Sequence, residues 1–263
     1  MNIVTFTTDF GIRDYYAATL KGRILCYGLP MTFVDITHQI DAYNIVQAAF
    51  TLRNAYTAFP KGTVHVVSIN NFYEPDPRFL LVLHDGHYFI SADNGLFSLL
   101  FEEVPEYMYE LPRPESTKNQ MSIEAVQEIF AKATTHVLKG KPLHEIGVPT
   151  AKRVQRLSLQ PITGKDYIRG AVIHVDNYEN LILNIDRPIF DRIAQGRPFE
   201  LYFKRFYPIS ELSQNYADVP VGELLCLFNS AGLLEISVNM GKAATLFGLT
   251  VDDTVQVDFL PIE

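Results

Sequence analysis

Over the first ninety residues, short apolar and β-branched runs alternate with stripes at helical spacing. Ile3 to Thr7 is the first run and stops at Asp9-Phe10-Gly11. Tyr16, Leu20 and Ile24 then recur every four residues, behind an Asp14 that stands where an N-cap belongs. Met31 to Ile36 is a second run. Ile45, Ala49, Leu52, Tyr56 and Phe59 form the next stripe, closed by Pro60 and Gly62, and Thr63 to Ile69 is a third run. Strand, helix, strand, helix, strand implies right-handed crossovers, so this part predicts an α/β layer built on a parallel sheet.

Two more runs, Phe79 to Leu83 and Tyr88 to Ser91, flank His84-Asp85-Gly86-His87, and Asp-Gly between apolar runs predicts a hairpin. Asp93-Asn94-Gly95 punctuates the chain before Leu96 to Phe101. Residues 105–118, with three prolines and several glutamates, read as a surface connection, and Ile123 to Leu138 as a helix ahead of Gly140-Lys141-Pro142. Beyond Gly147 the texture changes. Residues 149–166 are polar and irregular. Short strands then dominate: Ile168 to Val175, Leu181 to Ile185, Phe199 to Phe203, Leu224 to Phe228, Leu234 to Val238 and Thr254 to Phe259. Such spacing predicts a small barrel or sandwich, with one short helix at Lys242 to Phe247 and a boundary near residue 165.

At 263 residues and 48% apolar content, the chain can bury the core of one large domain or two modest ones. Its 22 basic against 30 acidic side chains leave a net charge of −8, which argues against nucleic acid or an anionic membrane as main partner. Only Cys26 and Cys226 are present, excluding a disulfide framework and a Cys-built zinc site. The N-terminus shows no signal-peptide pattern, and no apolar run approaches the ~20 residues of a membrane span. A soluble, cytoplasmic location is expected.

Candidate chemistry gathers at strand ends. Asp9 follows the first strand, where an open α/β sheet places its ligand crevice, and a carboxylate there can accept both hydroxyls of a ribose; an Asx-turn explains the same residue. Asp14 suits a cation or a helix cap. Asp176-Asn177-Tyr178-Glu179-Asn180 sets a carboxylate, an aromatic and an amide at alternate positions, suited to an adenine face and edge, or equally to a plain turn. Asn229-Ser230-Ala231-Gly232 has the same two readings, with a carboxylate ligand for the hydroxyl and backbone N–H groups. The seven histidines show no metal-binding spacing, and no metal is expected.

Taken together, these segments resemble the S-adenosyl-L-methionine (SAM) hydroxide adenosyltransferase family, relatives of fluorinating and chlorinating enzymes. The likeness runs through Thr8-Asp9-Phe10-Gly11 with Asp14, Leu20-Lys21-Gly22, Ile36-Thr37-His38, Phe59 to His65, Asp93-Asn94-Gly95-Leu96 and Gly140-Lys141-Pro142-Leu143. It continues in Val172 to Asp176 with Asn180 and Asn184, and in Asn229 to Gly232 with Leu234-Glu235-Ile236. It implies a Rossmann-like α/β domain with a mostly parallel sheet over 1–164 and a β-barrel-like domain over 165–263. It also implies a homotrimer holding SAM or adenosine at subunit interfaces, with no separate cofactor. By matching position, Asp9 would hold the ribose. Asp14, Asp176 and Ser230 would hold the methionine end, Tyr178 and Asn180 the adenine, and Tyr43, Val238 and Met240 would line the pocket.

The chain departs from the family at its water-activating positions. The family's D-P-G-V-G-T-x-R segment places its Asp and Arg where this chain has Asn70 and Pro77, and Ala125 stands at the family's His. An amide cannot take a proton from water, and alanine can neither give nor accept one. Arg78 lies one residue out of register, and Glu74, Tyr73 and Glu124 are the nearest replacement groups by sequence. Two functions follow: an enzyme converting SAM and water to adenosine and methionine, and a non-catalytic SAM- or adenosine-binding module.

Overall fold

The computed structural model describes residues 1–101, 103–114, 121–204 and 208–261. The chain divides into two compact units, Met1–Leu157 and Ser158–Glu263.

The first unit runs β1 (Ile3–Thr8), α1 (Tyr16–Leu25), β2 (Thr32–Thr37), α2 (Ile45–Tyr56), β3 (Val64–Ser68), β4 (Phe79–His84), β5 (His87–Ala92), α3 (Leu96–Leu100), β6 (Tyr107–Glu110), α4 (Ile123–Leu138) and β7 (Val148–Pro149). Its sheet has the order β2-β1-β3-β5-β4-β6-β7. The strands β2, β1, β3 and β5 run parallel, and β4, β6 and β7 extend the sheet antiparallel. Neighbouring residues of one strand serve opposite faces. Val66 packs with Phe6, Ile90, Leu20 and Phe130, while Val67 packs with Leu80, Phe89, Leu52 and Phe97. With helices on both faces, β1 and β3 are buried along their whole length, which is why each reads as a continuous apolar run rather than an alternation.

The predicted hairpin forms around a two-residue turn. His84 pairs with His87, and Asp85 and Gly86 both take positive φ (46° and 72°), the backbone twist a tight hairpin requires. Two expectations are corrected. The first is the N-cap of α1, which is Tyr15; Asp14 is exposed and caps nothing. The second is the surface connection, which contains β6: Tyr107 to Glu110 alternate, and Met108 turns inward to the core. Residues 115–118 of that connection lie outside the described residues.

The second unit comprises β8 (Ile162–Thr163), β9 (Tyr167–Val175), β10 (Leu181–Asp186), α5 (Arg187–Ala194), β11 (Phe199–Tyr202), β12 (Leu224–Phe228), β13 (Leu233–Val238), α6 (Ala243–Phe247) and β14 (Thr254–Phe259). An antiparallel sheet of order β11-β14-β9-β10-β13-β12 curls into a half-barrel, with β8 also on β9. The nine-residue β9 makes the corner: Tyr167 to Ala171 pair with β14, and Val172 to Val175 pair with β10. Gly170 permits it, since a Cβ there would lie 2.7 Å from Asn184 Oδ1 and 2.8 Å from the Ile185 side chain. The core inside the curl includes Val172, Leu183, Phe190, Cys226, Ile236 and Val257.

The helix α5 is absent from the apolar pattern, although its signals are present. Asp186 caps it through Ile189 N–H at 2.6 Å, Pro188 stands in the first turn, and Gln195 closes it at φ 49°. Among the described residues no helix is long and apolar enough to cross a membrane.

Candidate functional site

Parallel strands bring their C-terminal ends to one edge, so the loops after β1, β2, β3 and β5 meet there. Asp9, one residue beyond β1, is the meeting point. Its Oδ2 accepts the backbone N–H of Tyr43 at 3.0 Å and of Asn70 at 3.3 Å. Both donors are held at positive φ, 67° and 44°, where a non-glycine residue costs about 1–2 kcal/mol. Two loops are therefore bent against local preference to aim N–H groups at one carboxylate oxygen. Among the described residues none donates to the other oxygen, Oδ1. Backbone strain of this sort collects at functional sites.

Behind Asp9 a chain of polar groups holds the loops. Phe10 N–H donates to Thr8 Oγ1 at 3.3 Å, and Thr8 Oγ1 lies 2.8 Å from His38 Nδ1. His38 Nε2 is 3.1 Å from Asp35 Oδ1, whose other oxygen accepts from Lys21 at 2.7 Å. The Thr8 hydroxyl has two lone pairs, so it can accept from Phe10 and either give to or accept from Nδ1, as the His38 tautomer sets. Burial holds His38 below the ordinary histidine value, partly offset by Asp35. Burial alone would raise Asp35, but Lys21 and His38 outweigh it and hold that carboxyl low.

Beyond β3 and β5, Asn94 donates to the Ile69 carbonyl at 2.8 Å and accepts from Leu96 N–H at 3.1 Å, fixing the Asn70 turn. Asp93 is fully buried and accepts from Val154 N–H at 2.8 Å and Arg78 at 3.0 Å. Burial raises its pKa, against the opposing pull of Val154 and Arg78. Arg78 also binds Glu110 at 2.8 Å. Tyr73 is half-buried, and burial followed by Asp93 and Glu74 pushes its hydroxyl to about 12. Asp14 and Glu124, far apart in sequence, both lie close enough to Tyr16 to raise its hydroxyl pKa, after the larger effect of a hydrogen bond with Tyr15.

In the second unit Asp176 organises its own turn. Oδ1 accepts from the N–H groups of Tyr178 and Asn180, each at 2.9 Å, and Oδ2 from the Asn180 amide at 3.0 Å. The turn reading is therefore correct locally, and its result is a fixed Asn180 amide, 6% exposed, two residues from a Tyr178 that is 74% exposed. Glu179 at φ 64° ties this turn to the next segment, accepting from Lys242 at 2.7 Å and Thr245 N–H at 3.1 Å. On that segment Val238 is buried and Met240 is 87% exposed. Asn229 Oδ1 accepts from Ala231 and Leu233 N–H groups at 3.0 and 3.2 Å, which leaves Ser230 exposed at the tip of its turn.

Asp9, Tyr43 and Asn70 thus converge in the first unit. In the second, Asp176, Tyr178 and Asn180 share a turn that Glu179 joins to Lys242 and Thr245. His38, Glu179 and Glu235 escaped the residue-by-residue reading, because nothing in a sequence tells an acid or histidine held by distant partners from one left in water. Among the described residues no group of three or more His, Cys, Asp or Glu side chains is arranged for a metal ion.

Two family models match nearly end to end: the SAM hydroxide adenosyltransferase N-terminal domain over residues 4–147 and its C-terminal domain over residues 170–256. The chain belongs to the SAM hydroxide adenosyltransferase family. It is 27% identical over 279 residues to an (R)-S-adenosyl-L-methionine hydrolase of Methanocaldococcus jannaschii, covering 98% of this chain and 96% of that protein. It is 25% identical over 299 residues to a fluorinase of Nocardia brasiliensis, covering 97% and 96%. Among solved structures, an uncharacterized conserved protein from Thermotoga maritima superposes with a TM-score of 0.86 at 25% identity, covering 97% of this chain and 99% of that one.

Asn70 holds the Asp9 carboxylate through its backbone, Pro77 is buried, and Ala125 is half-buried in the first turn of α4. Arg78 is anchored between Asp93 and Glu110.

Proposed function

We propose that the protein binds SAM and transfers its adenosyl group to water, forming adenosine and methionine. The C5′–S bond breaks, a C5′–O bond forms, sulfur keeps the bonding pair, and one proton leaves the attacking water. Family membership supports the reaction class. The observation that carries it to this chain is Asp9, whose Oδ2 is capped by two strained loops; in this reading Oδ1 takes the ribose diol.

In this reading Asp14, Asp176 and Ser230 receive the methionine end, the Tyr178 ring lies on the adenine, and Asn180 meets the base edge, with Tyr43, Val238 and Met240 around them. Acidic groups suit a ligand that carries a sulfonium and an ammonium. The displacement needs no metal or organic cofactor, because a sulfonium leaves as a neutral thioether. With Asn70, Pro77 and Ala125 at the water-activating positions, rate comes from positioning and desolvation, and general-base help worth ~10²–10⁴ is lost.

Purified protein incubated with SAM in ¹⁸O-water should release methionine and adenosine labelled at the 5′ oxygen, faster than the spontaneous reaction. SAM binding without adenosine release would leave a non-catalytic binding module. No binding of SAM or adenosine would reject both.

A further inference from the structure

The face of β13 opposite the core residues Leu234 and Ile236 holds a buried carboxylate with no assigned role. Glu235, in β13, is only 3% exposed, and its cross-strand neighbours Ile182 and Leu227 are buried apolar residues. An ionised side chain in such a row is retained only where donors satisfy it. Three do. Its Oε1 accepts from Tyr216 at 2.8 Å and Ser237 at 2.7 Å, and its Oε2 accepts from the Asn229 amide at 3.2 Å. The three donors come from different segments. Ser237 belongs to the strand itself, Asn229 organises the turn that presents Ser230, and Tyr216 begins a short 3₁₀ turn with a capping box between Asn215 and Asp218. The Asp176–Asn180 turn leads directly into Leu181, whose cross-strand partner in β13 is Ile236, the residue after Glu235. One carboxylate therefore spans from the Ser230 turn to the neighbourhood of the Asp176 turn.

We infer that Glu235 is a positioning residue that holds the Ser230 turn in register with the Asp176 turn, so that it sets affinity for the amino-acid end of the ligand and leaves the nucleoside end largely unaffected. The inference rests on the proposed SAM site. It follows from which atoms are linked: the Asn229 amide that Glu235 holds is the same side chain whose Oδ1 shapes the Ser230 turn, whereas Tyr178 and Asn180 are fixed by Asp176 and Glu179.

The test measures SAM and adenosine affinities by calorimetry on the full chain, together with melting temperature. Asn229→Asp keeps the Oδ1 acceptor and sets a second carboxylate against Glu235. It should weaken SAM about tenfold or more, the scale of one lost charge-assisted bond, with adenosine changed by less than about twofold. Adding Glu235→Gln to Asn229→Asp restores the bond with donor and acceptor exchanged, and should recover most of the SAM affinity. Val257→Ala, in the core of the same unit, should lower the melting temperature and leave both affinities in place. An unchanged SAM-to-adenosine ratio in Asn229→Asp, no recovery in the double variant, or equal loss of both ligands in step with melting temperature would overturn the inference alone. If the unsubstituted protein binds neither ligand, the SAM site itself is wrong and the inference goes with it.

Discussion

Asp9 shows how one side chain becomes a site through its surroundings. An aspartate after a strand is ordinary turn chemistry. Here two loops, led by Tyr43 and Asn70, adopt positive φ to donate to one of its oxygens, and the proposed function gives the other to the ribose. Asp9→Ala should weaken nucleoside binding by about 1.5–3 kcal/mol, the range for charge-assisted bonds, and calorimetry with adenosine reads it directly; unchanged affinity would place the ribose elsewhere. The acid was legible in the sequence from its position alone. Its two backbone partners were not, since Tyr43 and Asn70 lie 34 and 61 residues away and contribute only N–H groups, which every residue but proline carries.

At the level of elements, β3 and β5 join through more than backbone. His65 Nε2 lies 3.2 Å from His87 Nδ1, and Thr5 Oγ1 on β1 is 2.7 Å from His65 Nδ1. Tyr56, Phe59 and Phe89 surround the pair. Burial, then the neighbouring His87, pushes His65 down from 6.5 to about 3, and burial also lowers His87. The folded state therefore disfavours the protonated ring. As pH falls below 6.5 the unfolded chain takes up protons that the folded chain refuses, so stability is full above 6.5 and is lost progressively toward 3. Urea unfolding across that range should show a steeper loss for the natural protein than for His65→Gln; equal slopes would mean that the ring is not the source. The alternation of apolar runs identified both strands. It was silent on this pair, because each histidine reads as a polar break in an apolar run until the strands are set side by side.

For the whole molecule, the homotrimer that the family resemblance implies is the remaining proposal. Ile12, Tyr15, Tyr43 and Phe72 stand between 49% and 74% exposed on the loops around Asp9, more apolar surface than a solitary loop cluster usually leaves in water. Light scattering should return three times the chain mass of 29.8 kDa, and a monomer at micromolar concentration would remove that part of the proposal. What the sequence determined by itself was local: the order of strands and helices, the Asp85-Gly86 hairpin, and the acids at strand ends. All of these depend on spacing within a few residues or on a motif read in order. The helix α5 and strand β6 show the limit even there, because capping in one and a single inward Met108 in the other carried the signal against the surrounding polarity. Only the tertiary structure decided that Arg78 is tied to Asp93 and Glu110, that Asp176 holds Asn180, and that Glu235 is buried. Hydrogen bonds and burial depend on which distant segments the fold brings within 3 Å, and a one-dimensional pattern does not encode those distances.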